Sequence, residues 1–248
     1  MRQTTTAIAL LTASMLVGCA SSVKIGGSSD ERARSANSAT SDVLTTAEQQ
    51  AMTPSAILAD LKAGNQRFVS GNSTNYDYLA QASATAGGQA PKAIVLSCLD
   101  SRVIPEVAMD QGIGDIFVGR VAGNFENVDM LGSMEFGTAV AGSKVIVVLG
   151  HTQCGAVKGT IDRAELGNLT ATLANIEPAI NAVPHSAAQR RSSNTAFVDQ
   201  VIEANVRRTV TDIQSRSPVL AERVRNGDLL IVGAVYDLAT GRVTWLDS

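Results

Sequence analysis

The sequence predicts an α/β fold. The expected architecture is a mostly parallel central sheet of four core strands plus a C-terminal strand, flanked by helices, with an extended N-terminal helix. Two observations carry that expectation. Short runs at 93–97, 116–121, 144–150 and 229–236 are apolar on successive residues rather than alternate ones, as in strands buried on both faces. Stretches with helical spacing separate these runs, and strands alternating with helices build parallel sheets.

The chain has 248 residues, enough for one sizeable domain plus extensions. A formal net charge of −3 leaves no basic footprint, so no nucleic-acid partner is expected. Residues 1–18 read as a signal peptide. Arg2 is a thin positive start, and the apolar run 7–17 is too short to span a bilayer. It ends in Leu16-Val17-Gly18-Cys19, which resembles the lipobox of bacterial lipoproteins. That resemblance implies cleavage before Cys19 and lipid on its thiol, which makes the protein an exported, membrane-anchored lipoprotein facing the periplasm or the cell exterior. The lipid is then its only membrane contact. Ordinary secretion with cleavage at a nearby small residue is the alternative. Residues 19–50 are rich in Ser, Ala and Thr and poor in large apolar residues, so they read as a flexible tether. The domain proper is expected over 51–248.

That domain opens with a helix from about 53 to 70, with Thr53 as N-cap and Pro54 in the first turn. Gly71-Asn72 ends it, and a polar loop containing Gly87-Gly88 leads to the first strand. After the second strand, residues 128–141 carry helical spacing despite their glycines. A mixed helical region broken by Pro178 and Pro184 fills 156–190. Residues 195–215 form a long amphipathic helix, with Phe197, Val201, Ile202, Val206, Val210 and Ile213 inward. Pro218 starts a short helix that ends near Gly227. A turn over Asp237 to Gly241 feeds the last strand, 242–246.

Chemistry gathers at two strand ends. The first strand runs into Cys98-Leu99-Asp100-Ser101-Arg102, and the third into His151-Thr152-Gln153-Cys154-Gly155. In open α/β sheets, reactive groups collect beyond the carboxyl ends of the strands, where these two clusters can converge. With Cys19 assigned to the leader, Cys98, His151 and Cys154 remain as a Cys₂His set, three zinc ligands with an open fourth position. Two other readings stay open: a Cys98–Cys154 disulfide, and a closed structural zinc with Asp100 as fourth ligand.

Cys98-x-Asp100-x-Arg102 followed by His151-x-x-Cys154 resembles the zinc signature of the β-class carbonic anhydrases. The similarity extends to Arg120-Val121-Ala122-Gly123-Asn124 and to Val232-x-Gly-x-x-Tyr236-Asp237-Leu238-x-Thr240-Gly241, and covers roughly residues 53–246. It implies one zinc per subunit and reversible hydration of CO₂ to bicarbonate and a proton by zinc-bound hydroxide. Asp100 and Arg102 form the gating dyad, with Asp100 on the metal only in a closed form. The same resemblance places Gln89, Phe117, Ala122 and the Gly155 N–H around the substrate. Gln89 matches the plant-type branch, for which the open form is expected. A homodimer or homotetramer is also implied. Hydrolysis of a CO₂-like molecule such as carbonyl sulfide or carbon disulfide uses the same ligands, and an inactive zinc-stabilised binding protein would need no Asp–Arg gate.

Overall fold

The structure, a computed structural model, describes residues 39–247. The leader, Cys19 and most of the expected tether therefore lie outside the described residues. Regular structure is present before the expected domain start at 51. Thr40 pairs with Tyr76, and helix α1 (Thr46–Ala51) follows, opened by a reciprocal capping box between Thr45 and Glu48. Buried Gln49 anchors it, donating from its amide to the carbonyls of Pro91 and Ala141 at 2.8 Å each. Two satisfied main-chain acceptors hold this segment where composition alone suggested a tether.

Helix α2 (Pro54–Val69) has Thr53 as its N-cap, accepting from the Ala56 N–H, and buries Ile57 and Leu61. Helix α3 (Tyr78–Thr85) lies within the expected polar loop, capped by Asp77. Strand β1 (Ala93–Ser97) follows, then the short helix α4 (Pro105–Ala108) and strand β2 (Ile116–Arg120). Helix α5 (Val128–Glu135) continues into a π-helical turn, Phe136–Val140, in place of the single helix expected there. Gly137 in that turn lies against Ile94: a Cβ would fall 2.6 Å from its Cδ1. Strand β3 (Val145–His151) is buried throughout. The mixed region resolves into α6 (Gly155–Ile161), α7 (Gly167–Ala174) and α8 (Glu177–Ala182). Pro178 sits in the first turn of α8, where its missing N–H has no helical partner to lose, so it starts a helix instead of breaking one. Helix α9 (Thr195–Arg216), helix α10 (Pro218–Arg225), strand β4 (Leu230–Tyr236) and strand β5 (Val243–Trp245) complete the described chain.

The sheet order is β2-β1-β3-β4-β5, parallel except for β5, which runs antiparallel to β4. Alternation along the strands divides the core. Val95, Val145, Val147 and Leu149 meet Ile57 and Leu61 of α2 on one face. Ile94, Leu96, Ile146 and Val148 meet α5, α9 and α10 on the other. A third cluster, including Phe125, Ile176, Phe197 and Val201, backs the carboxyl ends of β1 and β3 and encloses Cys98 and Cys154.

Helix α9 lies close enough to the sheet to require glycine beneath it. A Cβ on Gly150 would come within 2.6 Å of one Val206 methyl, and a Cβ on Gly233 within 2.7 Å of the other. Overpacking of this kind costs about 1–3 kcal/mol. Urea denaturation of Gly233→Ala is expected to show that loss, and Val206→Ala in the same chain to recover part of it by freeing the space. Equal costs in both backgrounds would contradict the packing account.

Candidate metal centre

The register Ser97↔Leu149 sets the ends of β1 and β3 side by side. Cys98 follows β1 directly, His151 is the last residue of β3, and Cys154 caps α6. All three side chains are buried, and their ligand atoms lie within 4.8 Å of one another. The turn between His151 and Cys154 is held on both sides. Thr152 N–H donates to Tyr236 O at 2.9 Å and its hydroxyl accepts from Leu238 N–H at 3.0 Å, while Gln153 takes φ +58°.

Zinc fits this donor set on the structure's own terms. The sulfurs of Cys98 and Cys154 are 4.0 Å apart and both thiols are free. A disulfide needs about 2.05 Å, whereas two sulfurs bound tetrahedrally to one zinc stand about 3.8 Å apart. His151 Nδ1 lies 2.9 Å from the Thr152 carbonyl, which can only accept, so the ring proton belongs there. That leaves a lone pair on Nε2, a fully buried atom with no hydrogen-bond partner among the described residues. The two thiols are also unequal. Cys98 is drawn well below the ordinary thiol range by hydrogen bonds from Cys154 and from the Gly123 N–H. Cys154 is held far above that range by the neighbouring Cys98 and by burial.

Asp100 stands at the rim, its Oδ2 3.9 Å from His151 Nε2. Arg102 occupies both of its oxygens: Nε donates to Oδ1 at 2.9 Å and Nη2 to Oδ2 at 2.7 Å, while the Arg102 N–H adds 3.0 Å to Oδ1. The guanidinium holds the Asp100 carboxyl well below the usual carboxylate range. A further residue organises this loop, one for which sequence reasoning found no role. Arg120, at the end of β2, donates from Nε to Cys98 O at 3.0 Å and from Nη2 to the carbonyls of Asp100 and Val103 at 2.6 Å each. Its position in the 120–124 motif was the only available signal.

An open pocket of about 390 Å³ lies over these groups, and Ala122 and Gly155 line it beside Cys98, Asp100 and Arg102. Gln89 and Phe117, expected at the substrate, do not line it within one chain. Gln89 precedes β1 and borders a hollow with Gly87 and Gly114, at the opposite end of a strand whose five residues span about 16 Å. Phe117 projects to the other side of β2, packing with the Ile94–Leu96 cluster along a groove beside α5.

A family model described as carbonic anhydrase matches residues 93–243. Carbonic anhydrase 2 of Mycobacterium tuberculosis is 37% identical over 198 residues, which cover 78% of this chain and 93% of that protein. Among solved structures, a β-carbonic anhydrase of Coccomyxa in complex with acetazolamide aligns with a TM-score of 0.59 and 28% identity, covering 66% of this chain and 75% of the other. One of two tetrameric β-carbonic anhydrases of the ascomycete Sordaria macrospora shares the fold at 23% identity and TM-score 0.58, covering 67% and 85%. The chain belongs to the β-class carbonic anhydrase family, whose members are zinc enzymes.

Proposed function

We propose that this β-class family member hydrates CO₂ reversibly to bicarbonate and a proton, with Cys98, His151 and Cys154 holding zinc and Asp100 and Arg102 governing the fourth position. The observation that carries the reading is the Asp100–Arg102 fork beside three buried donors. Zinc bound by those donors supplies a Lewis acid that brings the pKa of water from about 15.7 toward neutrality, so that hydroxide is available to add to carbon at ordinary pH.

The chain's own groups supply orientation. A carboxylate has about four acceptor positions. Oδ1 of Asp100 uses two on Arg102, and Oδ2 uses one, which leaves a free lone pair on the oxygen nearer to His151. That lone pair would accept a hydrogen bond from the attacking hydroxyl, which keeps its proton, and so turn the nucleophilic pair toward the substrate. Because Arg102 keeps the carboxyl ionised, Asp100 acts as an acceptor throughout the working range. The same fork holds the carboxylate off the metal. Ala122 offers the apolar wall that CO₂ requires. The N–H of Gly155, in the first turn of α6 and so without an intrahelical acceptor, donates to a bicarbonate oxygen.

β2 is an edge strand, and Val128, Phe136 and Val140 beside it are 75%, 55% and 73% exposed. An unpaired edge with apolar neighbours supports a homodimer or homotetramer. The leader and Cys19 support an exported protein held to the membrane by lipid alone, and no helix among the described residues is long and apolar enough to cross a bilayer.

Stopped-flow CO₂ hydration by the zinc-loaded protein is expected to be rapid, and Asp100→Asn to lower kcat by roughly 10- to 100-fold with zinc content unchanged. Normal turnover in Asp100→Asn would refute the orienting role, and turnover of carbonyl sulfide without CO₂ hydration would overturn the substrate. For the anchor, Cys19→Ser is expected to move the protein from the membrane fraction to the soluble fraction. Retention in the membrane fraction would exclude lipid on Cys19.

A further inference from the structure

We infer that Asn205, on the long helix α9, is a positioning residue for the metal centre: it fixes the Gly123 peptide so that the Gly123 N–H stays aimed at the sulfur of Cys98. The inference rests on the zinc reading above and extends it to a residue outside every motif that identifies the site. Asn205 Nδ2 donates to Gly123 O at 2.8 Å, and Gly123 N–H donates to Cys98 Sγ at 3.3 Å.

The turn between these bonds is built for one geometry. Asn124 N–H closes on Val121 O at 2.9 Å, and Gly123, third of the four residues, takes φ +89°. That is the glycine position of a type II turn. Space is equally restrictive, since a Cβ on Gly123 would lie 2.4 Å from Ile176 Cδ1. The turn sets the direction of the Gly123 N–H, and its carbonyl faces α9.

Asn205 itself is 2% exposed, on a largely apolar helix face that also buries Val201, Ile202, Val206, Thr209 and Ile213. An amide in such a stripe loses hydration and has lower helix propensity than Leu, so its bond to Gly123 is the reason for its presence. Its consequence reaches the metal through sulfur. An N–H aimed at a thiolate stabilises charge on the sulfur, reduces donation to the metal and leaves that metal more electrophilic. If the Gly123 carbonyl is released, the turn relaxes and the N–H leaves the sulfur.

Cobalt(II) in place of zinc makes the sulfur visible, through the thiolate-to-metal charge-transfer bands of the full-length protein. In Asn205→Leu, near in size but without a donor, those bands are expected to move to lower energy, with kcat down about 10-fold or more and KM little changed. Asn205→Ala provides the same readout should the Leu variant not fold. Thr209→Val is the control: one turn further along α9, equally buried and lining the same small cavity, it is expected to match wild type. Unmoved bands in the Asn205 variants, or an equal shift in Thr209→Val, would overturn the inference while leaving the metal site intact. Absence of charge-transfer bands in wild type would overturn both.

Discussion

Two thiols and an imidazole nitrogen, enclosed together in a core, make a demand that protein atoms alone do not meet. Cys98 and Cys154 stand 4.0 Å apart without a disulfide, and His151 Nε2 is buried without a hydrogen-bond partner among the described residues. Burying polar atoms in this state is costly unless a cation satisfies them all at once. Much of the surrounding structure serves that convergence. Parallel register sets the ends of β1 and β3 side by side, and the Phe125–Ile176–Phe197 cluster excludes solvent from behind. The glycines under α9 bring that helix, with Asn205, close enough to the sheet to reach the site.

Around this centre the chain places arginines, and each solves a different problem. Arg120 takes up the carbonyls of Cys98, Asp100 and Val103, which a tight loop leaves without strand partners, and so fixes where the loop stands. Arg102 engages the Asp100 carboxylate from the solvent side. A carboxylate this close to a dication would otherwise be drawn to it, and a planar fork with two matched bonds is the competitor best suited to prevent that. The open fourth position, and the chemistry proposed there, depend on which of the two attractions prevails.

The grouping of Cys98, His151 and Cys154 was legible because each lies within a few residues of a strand end, whereas the dyad of Asp100 and Arg102 was expected from the family resemblance. The buried strands were legible because unbroken Val and Ile runs admit few alternatives. Other features left weaker traces. Helix α3 is rich in Ala with no apolar stripe, so only its Asp77 cap marked it. Gln49 holds the N-terminal segment through main-chain acceptors that the sequence does not reveal. Arg120 and Asn205 act on backbone carbonyls for the same reason, so their roles emerge only from coordinates. Gln89 and Phe117, expected at the substrate from the family resemblance, lie at another strand end and on another strand face than the pocket of their own chain.

The balance at Asp100 is the most direct point of test. A crystal structure of the zinc-loaded protein at neutral pH is predicted to show Cys98, His151 and Cys154 as the only protein ligands, with both Asp100 oxygens still on Arg102. An Asp100 oxygen at coordinating distance, about 2.0–2.2 Å from the metal, with Arg102 turned away, would contradict the account.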